Sequence, residues 1–243
     1  MAQPGTRHHL TREDAQLAIR LVAHESGEDE RRLHERLADE GLDAVLDDPR
    51  LPAAILRDAQ GALVSLPLLT YVMVRAVLRR FGEEDRQLTD YVAGIVLEFG
   101  VRDRAHRVGE GDDEVYDTLA ALLRDAEDRD SRRAYLVRAH LGAYALWLSG
   151  LFPDRIEHRR WWRGGPDLTY YEAIGRRGFE LAAGHTLARQ QGMSELYAAA
   201  AARFVTLRVA LTALSDALFF PHVHTPERLM RQVSDEARWR TLH

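Results

Sequence analysis

Six residues with polar atoms stand inside apolar stretches where an aliphatic side chain would pack more simply: His140, Tyr144, Glu172, His185, Arg208 and Asp216. His140 shares a helical stripe with Leu136, Tyr144 and Trp147. His185 occupies a leucine-like position in the series Tyr171, Ile174, Gly178, Leu181, Ala188. Asp216 falls on the same face as Val209 and Thr212. A buried imidazole or carboxylate needs a partner, so the pattern admits two chemistries. Either the six converge on one enclosed pocket between long helices and bind a small molecule or cofactor, as in an enzyme, or each is held by its own structural partner. For Asp216 that partner is expected to be Arg208 or Arg138.

Two further clusters carry chemical possibilities. His222-Val-His224 has a spacing that chelates a transition metal when a third ligand arrives from elsewhere, although paired histidines in polar loops are common without metal. Between Pro153 and Gly164-Gly165-Pro166 lies a short segment with four arginines and the adjacent Trp161-Trp162. Such a composition stacks on bases and contacts phosphates, or it buries tryptophan against a partner chain with arginine at the rim. The net charge of −5 favours the second, because nucleic-acid footprints usually come from basic domains. Arg159, Arg160, Trp161 and Trp162 are therefore read as a protein interface.

Reaction signatures are missing from the chain. It contains no Glu-x-x-His, which a carboxylate-bridged di-iron bundle requires. His-Glu-x-x-His, a P-loop, Gly-x-Gly-x-x-Gly and Gly-x-Ser-x-Gly are absent as well. With no cysteine, disulfides, thiolate metal sites and cysteine nucleophiles are excluded. All 33 basic residues are arginine, but they are scattered among acids and so read as compositional bias rather than a recognition patch.

The elements that must position these groups are helices. Thr11 and Asp14 form a capping pair ahead of Leu17, Leu21 and Val22, and Pro67 suits the first turn of a helix running to Gly82. Leu88, Tyr91, Val92, Ile95 and Phe99 make an apolar stripe. Long segments follow from Ala134, Thr169 and Ser194, the first and last apolar enough to be buried on more than one side. A loop is expected over 102–113, and a modest helix over 115–126. No strand alternation or internal repeat is visible.

The expectation is an all-α fold, an irregular bundle of about eight to ten helices. A peripheral section spans 1–62 and the main helical core 63–243, together forming one compact unit. The most apolar run, from Leu63 to Leu78, is broken by Ser65, Pro67 and Arg75 and is shorter than the roughly 20 residues of a membrane-spanning helix. The chain is thus expected to be soluble and cytoplasmic, and to act as a protein-interaction or regulatory module. Its expected partner is another protein or a second copy of itself rather than nucleic acid. No cofactor can be named from the sequence.

Overall fold

A computed structural model describes residues 5–23, 26–100, 105, 107–108, 119–126, 132–223 and 225–242. Among them are fourteen α-helices, two short 3-10 turns and no strand, so the fold is all-α. The surplus over the expected count has two sources. Three helices are only one or two turns long, and two of the long apolar segments are each broken in two. Most of the loop expected over 102–113, and residues 115–118 of the expected 115–126 helix, lie outside the described residues. The chain forms two compact units that meet in sequence at Glu98 and Phe99. The helix after Pro67 and most of the next one belong to the first unit.

In the first unit, α1 (Arg12–Ala23), α2 (Gly27–Glu40), α3 (Asp43–Leu46) and α4 (Leu51–Arg57) precede α5 (Leu66–Arg80) and α6 (Arg86–Gly100). Each start has a local cause. The backbone N–H of Thr11 donates to Asp14 Oδ2 at 2.9 Å while the Asp14 N–H donates to Thr11 Oγ1 at 3.2 Å, a reciprocal cap. Ser65 accepts from the Leu68 N–H, with Pro67 in the first turn. Leu17, Ile19, Leu33, Val45, Leu51 and Tyr71 build the core. At its edge Asp47 accepts from Arg75 Nε at 2.8 Å and Arg86 Nη2 at 2.7 Å. Burial pushes the Asp47 carboxyl up, but the hydrogen bonds from Arg75 and Arg86 outweigh it and hold the group below the usual carboxylate range. Asp90 gathers the Thr6 and Arg7 N–H groups at 2.8 and 2.9 Å and so fastens the start of the chain to α6.

The second unit holds α7 (Leu119–Ala126), α8 (Arg132–Leu151), α9 (Pro153–Arg163), α10 (Leu168–Ala183) and α11 (Thr186–Gln190). They are followed by α12 (Ser194–Ala202), α13 (Phe204–Leu218) and α14 (Pro226–Leu242). Helix α8 is the centre. From Ala139 to Leu146 every residue is buried, as the near absence of polar residues requires. Its C-terminal carbonyls, which have no partner within the helix, accept from α13: Thr212 Oγ1 donates to Gly150 O at 3.0 Å and Ser215 Oγ to Leu151 O at 2.7 Å.

The broadest helix–helix contact among the described residues is α8 on α10, and glycines make it possible. A Cβ on Gly178 would lie 2.7 Å from the Gly142 nitrogen and 3.0 Å from the Arg138 oxygen. One on Gly175 would lie 2.3 Å from Phe204 Cζ. Phe204 is completely buried, and the chain bends by 72° between α12 and α13 as it enters. The single long helix expected over Ser194–Phe220 is thus two. No single helix among the described residues is long and apolar enough to cross a membrane.

Gly178→Ala should lower stability by about 1–3 kcal/mol, because the added methyl meets backbone that cannot turn aside. Gly184→Ala, whose Cβ would meet nothing closer than 3.6 Å, serves as the control and should stay within about 0.5 kcal/mol of the parent. Denaturant titration reads both. Equal midpoints for the two variants would contradict the close crossing.

Candidate functional site

The six candidate pocket residues are distributed over three places. His140 lies on α8 and is 2% exposed, with Nε2 3.0 Å from the Ala105 carbonyl oxygen. A carbonyl only accepts, so Nε2 donates. Its ring stacks on Tyr144 at 6.1 Å and 6°, and Phe99 sits 5.2 Å away. Trp147 extends the ladder by stacking on Tyr144. The helical offsets among His140, Tyr144 and Trp147 thus build an aromatic column.

His185 is elsewhere. Helix α10 ends at Ala183, so His185 does not continue its apolar stripe as the spacing suggests. It is instead the N-cap of α11, its Nδ1 accepting from the Leu187 N–H at 3.1 Å. The ring lies against Tyr135 at 5.2 Å, and the Tyr135 hydroxyl donates to Gln191 Oε1 at 3.0 Å. The leucine-like position is real in the sense that His185 is 4% exposed, but its nitrogen does the work of a capping oxygen.

Glu172, Arg208 and Asp216 do come together, in a network of charges under α14. Arg208 is completely buried. Its Nε donates to Glu172 Oε1 at 3.1 Å, its Nη2 lies 3.0 Å from the same oxygen, and its Nη1 lies 2.7 Å from Asp235 Oδ1. Asp235 in turn faces Arg231 Nη1 at 3.6 Å. Arg231 reaches Asp216 Oδ1 at 3.0 Å and Asp154 Oδ1 at 3.0 Å, and Arg228 also bonds Asp216. The partner of Asp216 is therefore Arg228 with Arg231 from α14, not Arg208 or Arg138. Sequence periodicity in apolar residues could not reveal this. The available signal was the recurrence of Arg228, Arg231 and Asp235 on one helical face.

Because that charged face points inward, Leu229, Met230 and Val233 of α14 point outward. Arg228, Arg231 and Asp235 are 3%, 7% and 7% exposed, whereas Leu229, Met230 and Val233 are 50%, 70% and 66% exposed. Beside them α9 exposes Trp161 and Trp162 at 69% and 77%. Ile156 and Pro153 hold the opposite side of α9 to the core, and Gly164 closes the helix at a φ of 63°, a conformation glycine adopts without strain. Arg160 stands over the Trp161 ring at 5.5 Å and pairs with Glu157 at 3.5 Å. Arg159 faces Tyr171, whose hydroxyl burial pushes up in pKa while the Arg159 charge opposes the rise.

Two grooves run between α9 and α14. The larger, about 780 Å³, is lined by His158, Trp161, Trp162, Val223 and Arg228 among others. The smaller, about 560 Å³, is lined by Trp161, Leu168, Met230 and Asp235 among others. Glu157, Trp161 and Glu227 belong to both. His222 is exposed and His224 lies outside the described residues. No group of three or more histidine, aspartate or glutamate side chains among the described residues is placed to hold a metal ion.

No family model, curated protein or solved structure matches the chain.

Arg208→Met should cost about 3–5 kcal/mol, since it leaves the buried Glu172 and Asp235 carboxylates without their shared cation. His185→Ala should cost about 1 kcal/mol through the lost cap. Both are read from denaturant midpoints. Parent-like stability in both variants would mean that these groups are held for a ligand rather than for the fold.

Proposed function

We propose that the chain is a helical protein-interaction module whose contact surface is the outward face of α9 and α14. One contrast carries the reading. The polar groups that would line a ligand pocket are engaged by structural neighbours: His140 by the Ala105 carbonyl, His185 by its own helix start, and Glu172, Arg208 and Asp216 by each other or by α14. Trp161 and Trp162 of α9 and Leu229, Met230 and Val233 of α14 face solvent instead. A fully buried aromatic side chain removes about 150–250 Å² of surface, so Trp161 and Trp162 alone expose on the order of 300 Å². Adding Met230 and Val233 takes the patch into the range of about 300–600 Å² at which exposed apolar surface ordinarily marks a binding site.

The face has the composition of an interface core. Tryptophan, methionine and arginine are the residue types enriched there, with charged groups at the rim. Arg155, Arg159 and Arg163 flank the tryptophans on one side of α9, while Glu157 and Glu227 lie on the groove side. The mixed sign favours a polypeptide partner over a phosphate backbone, which selects a uniformly basic surface.

A photo-activatable benzophenone side chain placed at Trp162, in the cells that make the protein, tests this. The expected result is a covalent adduct of one discrete mass, lost when Met230→Arg is added. Absence of any adduct at position 162, with the probe shown to be incorporated, would end the proposal.

A further inference from the structure

We infer that the occupant of the α9–α14 face is a second copy of this chain, placed by a two-fold axis running along α9. The inference rests on the interaction reading above and names its partner.

The charge distribution carries it. Across the tryptophan ridge of α9 the two flanks differ in net sign: Arg155 and Arg159 lie toward α10, near enough for both charges to act on Tyr171, whereas on the α14 side Glu157 pairs with Arg160 and shares both grooves with Glu227. Neither Arg155 nor Glu227 makes an ion pair among the described residues, so each is available to a partner. A partner with a single excess of charge would satisfy one flank and oppose the other. A copy of the same face satisfies both, provided that left and right are exchanged.

A two-fold axis parallel to α9 performs that exchange, because it turns the face over while keeping the helix direction. The Arg155 flank of one copy then stands over the Glu157 and Glu227 groove of the other, twice by symmetry. An axis perpendicular to α9 would set arginine against arginine. Such isologous contacts place one patch against itself, so Met230 and Val233 of each copy lie over the aliphatic stems of the partner's arginine flank, and Trp162 enters the partner's groove.

The face is held rigid enough for this role. Arg228, Arg231 and Asp235 fix the inward side of α14 by ion pairs to Asp154, Asp216 and Arg208, which leaves Met230 and Val233 outward without a rearrangement. Stable interfaces bury about 800 Å² per partner. The apolar patch of about 300–600 Å² would form the centre of such an interface, and the charged flanks would have to complete it.

Sedimentation velocity on the purified chain over a concentration series up to about 100 μM tests the inference. The expected particle has twice the 27.6 kDa chain mass. Met230→Arg should weaken dimerisation tenfold or more by order of magnitude, with an unchanged circular dichroism spectrum. Arg155→Glu and Glu227→Arg should each weaken it, and the double variant should regain much of the loss because the pair is restored in reverse. A monomer throughout the series, or a dimer indifferent to all of these changes, overturns the inference. If the chain is monomeric while position 162 still forms a discrete adduct of another mass in cells, the second copy is wrong and the interaction reading stands. A monomer with no adduct removes both.

Discussion

A guanidinium group sealed from water inside a helical bundle must find carboxylates, and Arg208 imposes that requirement on the second unit. With no exposed surface, it draws Glu172 from α10 and Asp235 from α14. Asp235 is a single turn from Arg231, and Arg231 ties α14 to Asp216 on α13 and Asp154 on α9. Four helices are thus joined through charges. Apolar side chains of equal volume would often stabilise a core as well as such a network does. Its consequence lies in orientation. A helix docked through its charged face must turn its apolar face to solvent, and α14 does so with Met230 and Val233.

The close crossing of α8 and α10 sets the stage for that network. Gly178 admits the α8 backbone, and Gly175 admits Phe204. Phe204 begins α13 one turn before Arg208, and Gly175 lies one turn beyond Glu172. Seating the phenylalanine ring over the glycine therefore brings guanidinium and carboxylate within reach. The bend between α12 and α13 falls immediately before Phe204, where the ring enters the gap left by Gly175.

Helix type and the positions of most helices were legible in the sequence because they depend on local matters: the Thr11–Asp14 cap, Ser65 ahead of Pro67, the apolar run of α8. The break at Arg203 is not, because it answers to the seat of Phe204 against Gly175 on another helix, and the one at Gly184 is hidden because His185, a local cap, falls in register with the apolar stripe. Polar residues within apolar stripes announce a need for partners, but periodicity assigns a residue to a face and not to a neighbour, so it does not say how they group. His185 belongs to a helix start rather than a helix face, and Asp216 is paired from α14. In α14 the spacing of Leu229 and Val233 resembles an ordinary apolar seam, and the demands of Arg208 and Asp216 turn that side of the helix outward.

The central claim is that buried charges hold α14 with its apolar side outward. Hydrogen exchange followed by mass spectrometry over 226–242, in the parent and in Asp235→Ala, tests it most directly. The account predicts slow exchange of the α14 amides in the parent and exchange faster by about tenfold or more in the variant, with α8 and α10 keeping their protection. Exchange of α14 in the parent at the rate of an unstructured peptide, or the same slow rate with and without Asp235, would contradict it.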